Sequence, residues 1–168
     1  VRLKKRQKKG ARPMLTEGSK APGFELPADD GSVFKLSKSK GKIVVVYFYP
    51  KDDTSGCTRE AKDFSDLASE FASAGAEVYG ISPDSVKSHD KFRCKHGLEV
   101  RLLSDEEKSA ATAYGVWVEK SMYGKKYMGV ERSTFLIDSK GKLAKIWRKV
   151  SVPGHAAEVL EAVKSLPA

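Results

Sequence analysis

Cysteine is scarce in this chain: Cys57 and Cys94 are the only two among 168 residues, 37 positions apart in dissimilar surroundings. That excludes the dense disulfide framework of small secreted domains and points to a reducing compartment, with a cytoplasmic location expected. Long apolar runs are lacking as well. Nothing approaches the ~18 consecutive apolar residues of a membrane span, so no membrane partner is expected. Internal repeats and low-complexity segments are absent, which removes solenoids and arrays. Histidine occurs three times, and His89, Cys94 and His96 offer neither a fourth ligand nor a familiar zinc spacing, so no metal is expected.

Acidic residues are missing from the first 13 positions, "VRLKKRQKKGARP", which hold seven of the 31 Lys and Arg. The remaining 24 basic residues face 22 acidic ones, so most of the formal charge of +9 belongs to this arm. It is read as a solvated, flexible tail rather than a nucleic-acid-binding module or an import signal. Residues 14–168 are expected to form a single domain, long enough to bury a core without covalent staples.

Along that domain the apolar pattern changes period several times. Asp30-Gly31 marks the turn of a short N-terminal hairpin between Phe24/Leu26 and Val33/Phe34/Leu36. Ile43 to Tyr49 is continuously apolar and rich in β-branched residues, as in a strand covered on both faces. Cys57, Ala61, Phe64, Leu67/Ala68 and Phe71 recur at steps of three and four, predicting one helix that stops at Gly75. A strand at 76–82, a helix at 85–95, a short strand at 101–103 and a helix at 106–114 follow. Strands at 131–138 and 142–150 pair across "SKG", and a last helix covers 155–166. This order predicts an α/β protein of the thioredoxin-like fold, a central mixed sheet flanked by helices with an N-terminal β-hairpin extension.

Cys57 sits where a strand pattern gives way to a helix pattern. Thr54-Ser55-Gly56 is an N-terminal signal that puts the thiol in the first helical turn, where unpartnered N–H groups and the helix dipole favour an anion. The plainer alternative is a small buried hydrophobe. A helix end alone is not a mechanism: lowering a thiol pKa from about 8.5 to about 6 raises the thiolate fraction roughly tenfold or more, only ~1.5 kcal/mol, part of which is returned as lower nucleophilicity. A fast reaction needs further groups that orient the electrophile and stabilise the departing charge.

Pro50-Lys51-Asp52-Asp53-Thr54-Ser55-Gly56-Cys57 resembles the peroxiredoxin signature of Pro, three residues, Thr, two residues and Cys. "YFYPKDDTSGCTRE", "SVKSHDKF", "MYGKKYMGVERSTFLID" and "WRKVSVPGHAAEVL" are similar to the bacterioferritin comigratory protein or peroxiredoxin Q branch, and the likeness runs from about Thr16 to Leu166. It implies Cys57 as peroxidatic nucleophile, Thr54 as hydrogen-bond partner of thiolate and peroxide, Pro50 as the shield of the site, and Arg132 of "ERSTF" as the active-site arginine. Read without the family, Arg132 is a surface charge on a strand. Glu60 falls on a commonly acidic family position and is expected to orient Arg132; helix-start electrostatics is its other reading. Ser55 departs from the branch, which frequently has proline there.

Many relatives carry a second thiol five residues after the first, where this chain has Lys62. Cys94 is the remaining internal candidate for resolving a Cys57 sulfenic acid, against an idle exposed cysteine with Cys57 recycled by an external thiol. If Phe92 packs inward, Cys94 lies about 200° around the helix, facing solvent among Lys91, Arg93 and Lys95. A thioredoxin-type disulfide exchanger would need a cysteine at position 60, where Glu60 stands. An interaction or chaperone-like protein on the same scaffold is the alternative of a different class. The resemblance implies a thiol peroxidase for hydrogen peroxide and organic hydroperoxides, without metal or organic cofactor, reduced by thioredoxin or a similar thiol and monomeric.

Overall fold

The computed structural model describes residues 15–167; the basic arm expected at 1–13 lies outside them. In chain order the elements are β1 (Glu25–Pro27), β2 (Val33–Lys35), a 3-10 turn (Leu36–Ser39), β3 (Ile43–Phe48), α1 (Ser55–Asp66), α2 (Ala68–Ser73), β4 (Ala76–Ser82), α3 (Val86–His96), β5 (Arg101–Ser104) and α4 (Ser109–Ala113), then β6 (Trp117–Met122), β7 (Lys125–Val130), β8 (Ser133–Ile137), β9 (Leu143–Trp147) and α5 (His155–Lys164). Five strands form the central sheet in the order β5-β4-β3-β8-β9. The pairs β3–β4 and β4–β5 are parallel, β3–β8 and β8–β9 antiparallel.

β3 is the middle strand, and its side chains divide between two cores. Val44, Val46 and Phe48 join one with Leu26, Ala28, Leu103, Ala110, Tyr114 and Phe135. Val45 and Tyr47, followed by Tyr49, join the other with Cys57, Phe64, Phe71, Phe92, Leu136 and Val159. A strand covered on both faces has no solvent side, which is why "IVVVYF" contains no polar alternation. Full burial of each such side chain is worth about 1.5–3 kcal/mol, so this strand anchors both layers. Tyr47 stacks on Phe64 at 4.7 Å and 13°, docking α1 on the sheet. The β1–β2 hairpin and α4 cover the first core, and α1, α2, α3 and α5 the second.

Several expectations need correction. The helix predicted through Phe71 is two helices: at Leu67 the backbone tightens, its N–H bonding Phe64 O at 3.2 Å, and α2 restarts so that Phe71 meets Phe64 at 5.9 Å. The helix expected from 106 begins only at Ser109, because the buried Asp105 carboxylate accepts from the N–H groups of Ala110 and Ala111 and holds the first turn there. The β6–β7 hairpin was not foreseen. Its turn, Tyr123-Gly124, has positive φ at both residues (52° and 78°), the geometry of a two-residue hairpin turn, and the glycine of "MYGK" is the signal that could have found it. Among the described residues no helix is long and apolar enough to cross a membrane.

Thr54 is the N-cap position of α1, extended at φ −92° and ψ 158°, and Ser55 is the exposed first helical residue. Extended backbone is what the residue before a proline prefers, and proline's fixed φ suits the first helical position. Ser55→Pro is therefore expected to raise stability by ~0.5–1 kcal/mol in a denaturant titration; a clear loss would contradict this cap geometry.

Candidate active site

Cys57 is the third residue of α1 and 1% exposed. Burial alone fits the small-hydrophobe reading of this thiol. Its neighbours are polar: Arg132 Nη2 donates to Cys57 Sγ at 3.4 Å, and Nη1 of the same guanidinium donates to Glu60 Oε1 at 2.6 Å. One planar fork thus joins a sulfur and a carboxylate from successive turns of one helix. The approach is close, since a Cβ on Gly56 would lie 3.3 Å from Arg132 Nη2.

Arg132 comes from the segment between β7 and β8 rather than from a strand, and the backbone grips it on both sides. Glu131 N–H donates to Val116 O at 2.8 Å, and Arg132 C=O accepts from Val150 N–H at 2.9 Å. The next residue, Ser133, starts β8 and pairs with Phe48 at the end of β3. The end of the central strand, the start of α1 and the start of β8 therefore meet at one point. With its side chain 19% exposed, Arg132 is not the surface strand charge it resembles in sequence.

Charge balance follows from burial. Glu60, 1% exposed, is pushed up to about 7 by desolvation, against the downward pull of Arg132. Burial opposes the charge of Arg132, but the Glu60 carboxylate and the Cys57 sulfur outweigh it and raise its pKa above the ordinary value. Glu60 Oε2 has no hydrogen-bond partner among the described residues. Glu60 lies in the second turn of α1 and is buried, so helix-start electrostatics does not account for it.

The remaining sequence candidates occupy different places. Thr54 caps α1 with its backbone carbonyl, which accepts from Thr58 N–H at 2.8 Å. Its hydroxyl instead donates to Lys51 O at 2.9 Å, closing the loop upon itself, and makes no side-chain cap. Pro50 is half-buried just past β3. Cys94 is exposed on α3 while Phe92 is buried, the two-sided arrangement that helical geometry predicts; both cysteines are free.

Sequence reasoning missed the clamp between the loop at 50–54 and α3. Buried Asp52 accepts from Tyr49 Oη (2.6 Å) and Ser88 Oγ (2.7 Å), lies 2.7 Å from His89 Nδ1, and donates its N–H to Asp84 Oδ2 (2.8 Å). Asp53, at φ 60°, contacts Lys95 Nζ at 2.7 Å and His96 Nε2 at 2.8 Å. His89 and His96 thus face different aspartates and do not converge with Cys94. Asp52, Asp84 and His89 lie within 4.8 Å of one another. In one sequence these residues are ordinary polar ones; only the packing of α3 beside the loop pairs them.

A family model described as the AhpC/TSA family matches residues 18–146. The chain belongs to that family. Peroxiredoxin Bcp of Bacillus subtilis (strain 168) is 53% identical over 149 residues, 89% of this chain and 95% of that protein. Among solved structures, Xanthomonas campestris peroxiredoxin Q superposes with a TM-score of 0.82 at 47% identity, covering 84% of this chain and 90% of the other. The Xanthomonas campestris bacterioferritin comigratory protein, from a study of its alkyl peroxide reduction activity with trapped intermediate and ligand complexes, gives 0.81 at 46% identity over the same shares. The fold is the thioredoxin-like fold of peroxiredoxins, and the enzyme is a thiol peroxidase.

Because the folded state holds the Glu60 proton more tightly than an unfolded chain does, this group contributes stability that is complete below its ordinary value near 4.5 and is lost as pH rises toward 7. Glu60→Gln, uncharged throughout, is expected to be worse than wild type at pH 5 and to gain on it steadily toward pH 8 in thermal melts. Parallel curves for the two proteins would show that Glu60 is not the group that titrates.

Proposed function

We propose that Cys57 is the peroxidatic nucleophile of this enzyme and that Arg132 is the group acting directly on its charge. What carries the reading is the single guanidinium 3.4 Å from the sulfur and 2.6 Å from the Glu60 carboxylate. The thiolate attacks the terminal oxygen of a hydroperoxide ROOH. The S–O bond forms as the O–O bond breaks, and the departing alkoxide takes a proton, leaving the Cys57 sulfenic acid and ROH. A fixed cation beside the sulfur favours the thiolate before attack and the negative oxygen during it. Glu60 holds the fork in orientation, Pro50 closes the loop side, and Thr54 turns its hydroxyl from Lys51 to the bound peroxide. Hydrogen peroxide and organic hydroperoxides are the substrates; the alkyl peroxide activity named for the Xanthomonas protein supports the second class.

For recycling we propose that the Cys94 thiol attacks the Cys57 sulfenic sulfur, releasing water and forming an intramolecular disulfide, which thioredoxin or a similar dithiol reduces by exchange. Cys57 is buried and Cys94 exposed, so Cys57 must come out of its core for the sulfurs to meet in a disulfide, which holds Cα atoms within about 7 Å. The second reading is direct reduction of Cys57 by an external thiol, with Cys94 idle on the surface of α3. A monomer working in the cytoplasm, a reducing compartment, completes the proposal.

Stopped-flow oxidation with hydrogen peroxide should be abolished by Cys57→Ser and slowed roughly a hundredfold by Arg132→Lys, because a lysine cannot span sulfur and carboxylate together. An unimpaired Arg132→Lys enzyme would sink the charge argument. Mass spectrometry of peroxide-treated protein under non-reducing conditions tests the recycling: a loss of two hydrogens, absent in Cys94→Ser, supports the internal disulfide, whereas stable sulfenic or sulfinic Cys57 favours the external thiol.

A further inference from the structure

The β6–β7 hairpin carries a second cation toward this site. Lys120 of β6 stands opposite Tyr127, yet its stem does not lie over that residue. A Cβ placed on Gly129 would come within 3.2 Å of Lys120 Cδ and 3.4 Å of Cε, so the side chain runs diagonally across Gly129. Gly129 is two residues nearer the base of the hairpin, where Val130, Glu131 and Arg132 follow. On this strand Val118 and Lys120 are half-buried, while everything from Ser121 to Met128 is exposed. Lys120 is thus the last residue of β6 turned toward the body of the protein.

Its surroundings are those of a charged mouth. A groove of about 580 Å³ is lined by Val118, Glu119, Lys120, Tyr127, Glu131 and Lys149, and it reaches the residue before Arg132. Glu119 is neutralised by Lys126 at 3.5 Å. Burial, then the positive charge of Arg132, disfavours the Lys120 ammonium and lowers its pKa, while Glu131 and the Cys57 sulfur act in its favour. A half-buried cation that feels another cation is costly, and an anion arriving in the groove that Lys120 lines relieves it.

We propose that Lys120 is a specificity-determining residue of the peroxidase site: led across Gly129 to the Glu131–Arg132 corner, its ammonium favours oxidants that carry a negative charge close to their peroxide group. The inference rests on the reading of Cys57 as the reacting sulfur. The chemical step itself is unchanged; Lys120 acts on which oxidant reaches that sulfur.

A short alkyl hydroperoxide bearing a carboxylate and its methyl ester differ in charge while presenting the same reacting group, so the ratio of their second-order rate constants isolates the effect. Stopped-flow oxidation of the full chain at neutral pH and low salt should give a ratio that falls roughly threefold to tenfold in Lys120→Met, is retained in Lys120→Arg, and shrinks in wild type as salt is added. Lys120→Gln repeats the loss of charge with a polar side chain should the Met variant fold poorly. An unchanged ratio, with both peroxides slowed together, would overturn the proposal and leave Lys120 a structural residue of the hairpin. Oxidation that survives Cys57→Ser would instead overturn the underlying reading, whatever the ratio.

Discussion

A guanidinium that has left most of its water must be answered by negative charge, and at this site the answer comes from one helix. Arg132 reaches the sulfur of Cys57 and the carboxylate of Glu60 at once, 3.4 Å and 2.6 Å away. Those partners are three positions apart in sequence, so one turn of α1 sets their spacing, and the planar fork matches it. Burial pushes Glu60 up to about 7 against the downward pull of Arg132, so this carboxyl can keep its proton at neutral pH. Removing either partner leaves the other facing an uncompensated charge in a poorly solvated place, which is far more costly than the pair itself is stabilising.

Everything around this contact serves to keep its two halves in register. Stacking of Tyr47 on Phe64 seats α1 on the central strand, while pairing of Phe48 with Ser133 brings the start of β8 beside it. The hydrogen bonds from Glu131 to Val116 and from Val150 to Arg132 then hold the segment between β7 and β8 from both sides. On the opposite flank, Asp52 and Asp53 tie the loop that precedes Cys57 to α3, the helix that carries Cys94. The segment of Arg132 and the helix α3 are held by different interactions: main-chain bonds in the first case, side-chain contacts to two aspartates in the second.

Much of this was legible in the chain itself. The unbroken apolar run of β3, the helical start at Cys57 and the turn at Asp30-Gly31 each express a local rule, and each stands where that rule puts it. Helix boundaries were less legible. The break at Leu67 and the late start of α4 depend on partners outside the local pattern, the ring of Phe64 for Phe71 and the carboxylate of Asp105 for the first turn. The β6–β7 hairpin is weakly patterned because eight consecutive residues, 121–128, are exposed, and exposed positions impose no alternation.

The alternation of strands and helices outside the β6–β7 hairpin, the position of Cys57 in a first helical turn, and the two-sided burial of the central strand were determined by the sequence alone, because periodicity and turn chemistry act between near neighbours. Which charge meets that sulfur was decided only by tertiary structure. Arg132 lies 75 positions away and reads locally as a surface charge; only the family resemblance of "ERSTF" singles it out, and no local rule does so until the pairing of β3 with β8 closes that distance. The same holds for Asp52 with His89 and for Lys120 lying over Gly129. Electrostatics at short range depends on who is adjacent in space, and adjacency across a sheet is a property of the folded chain.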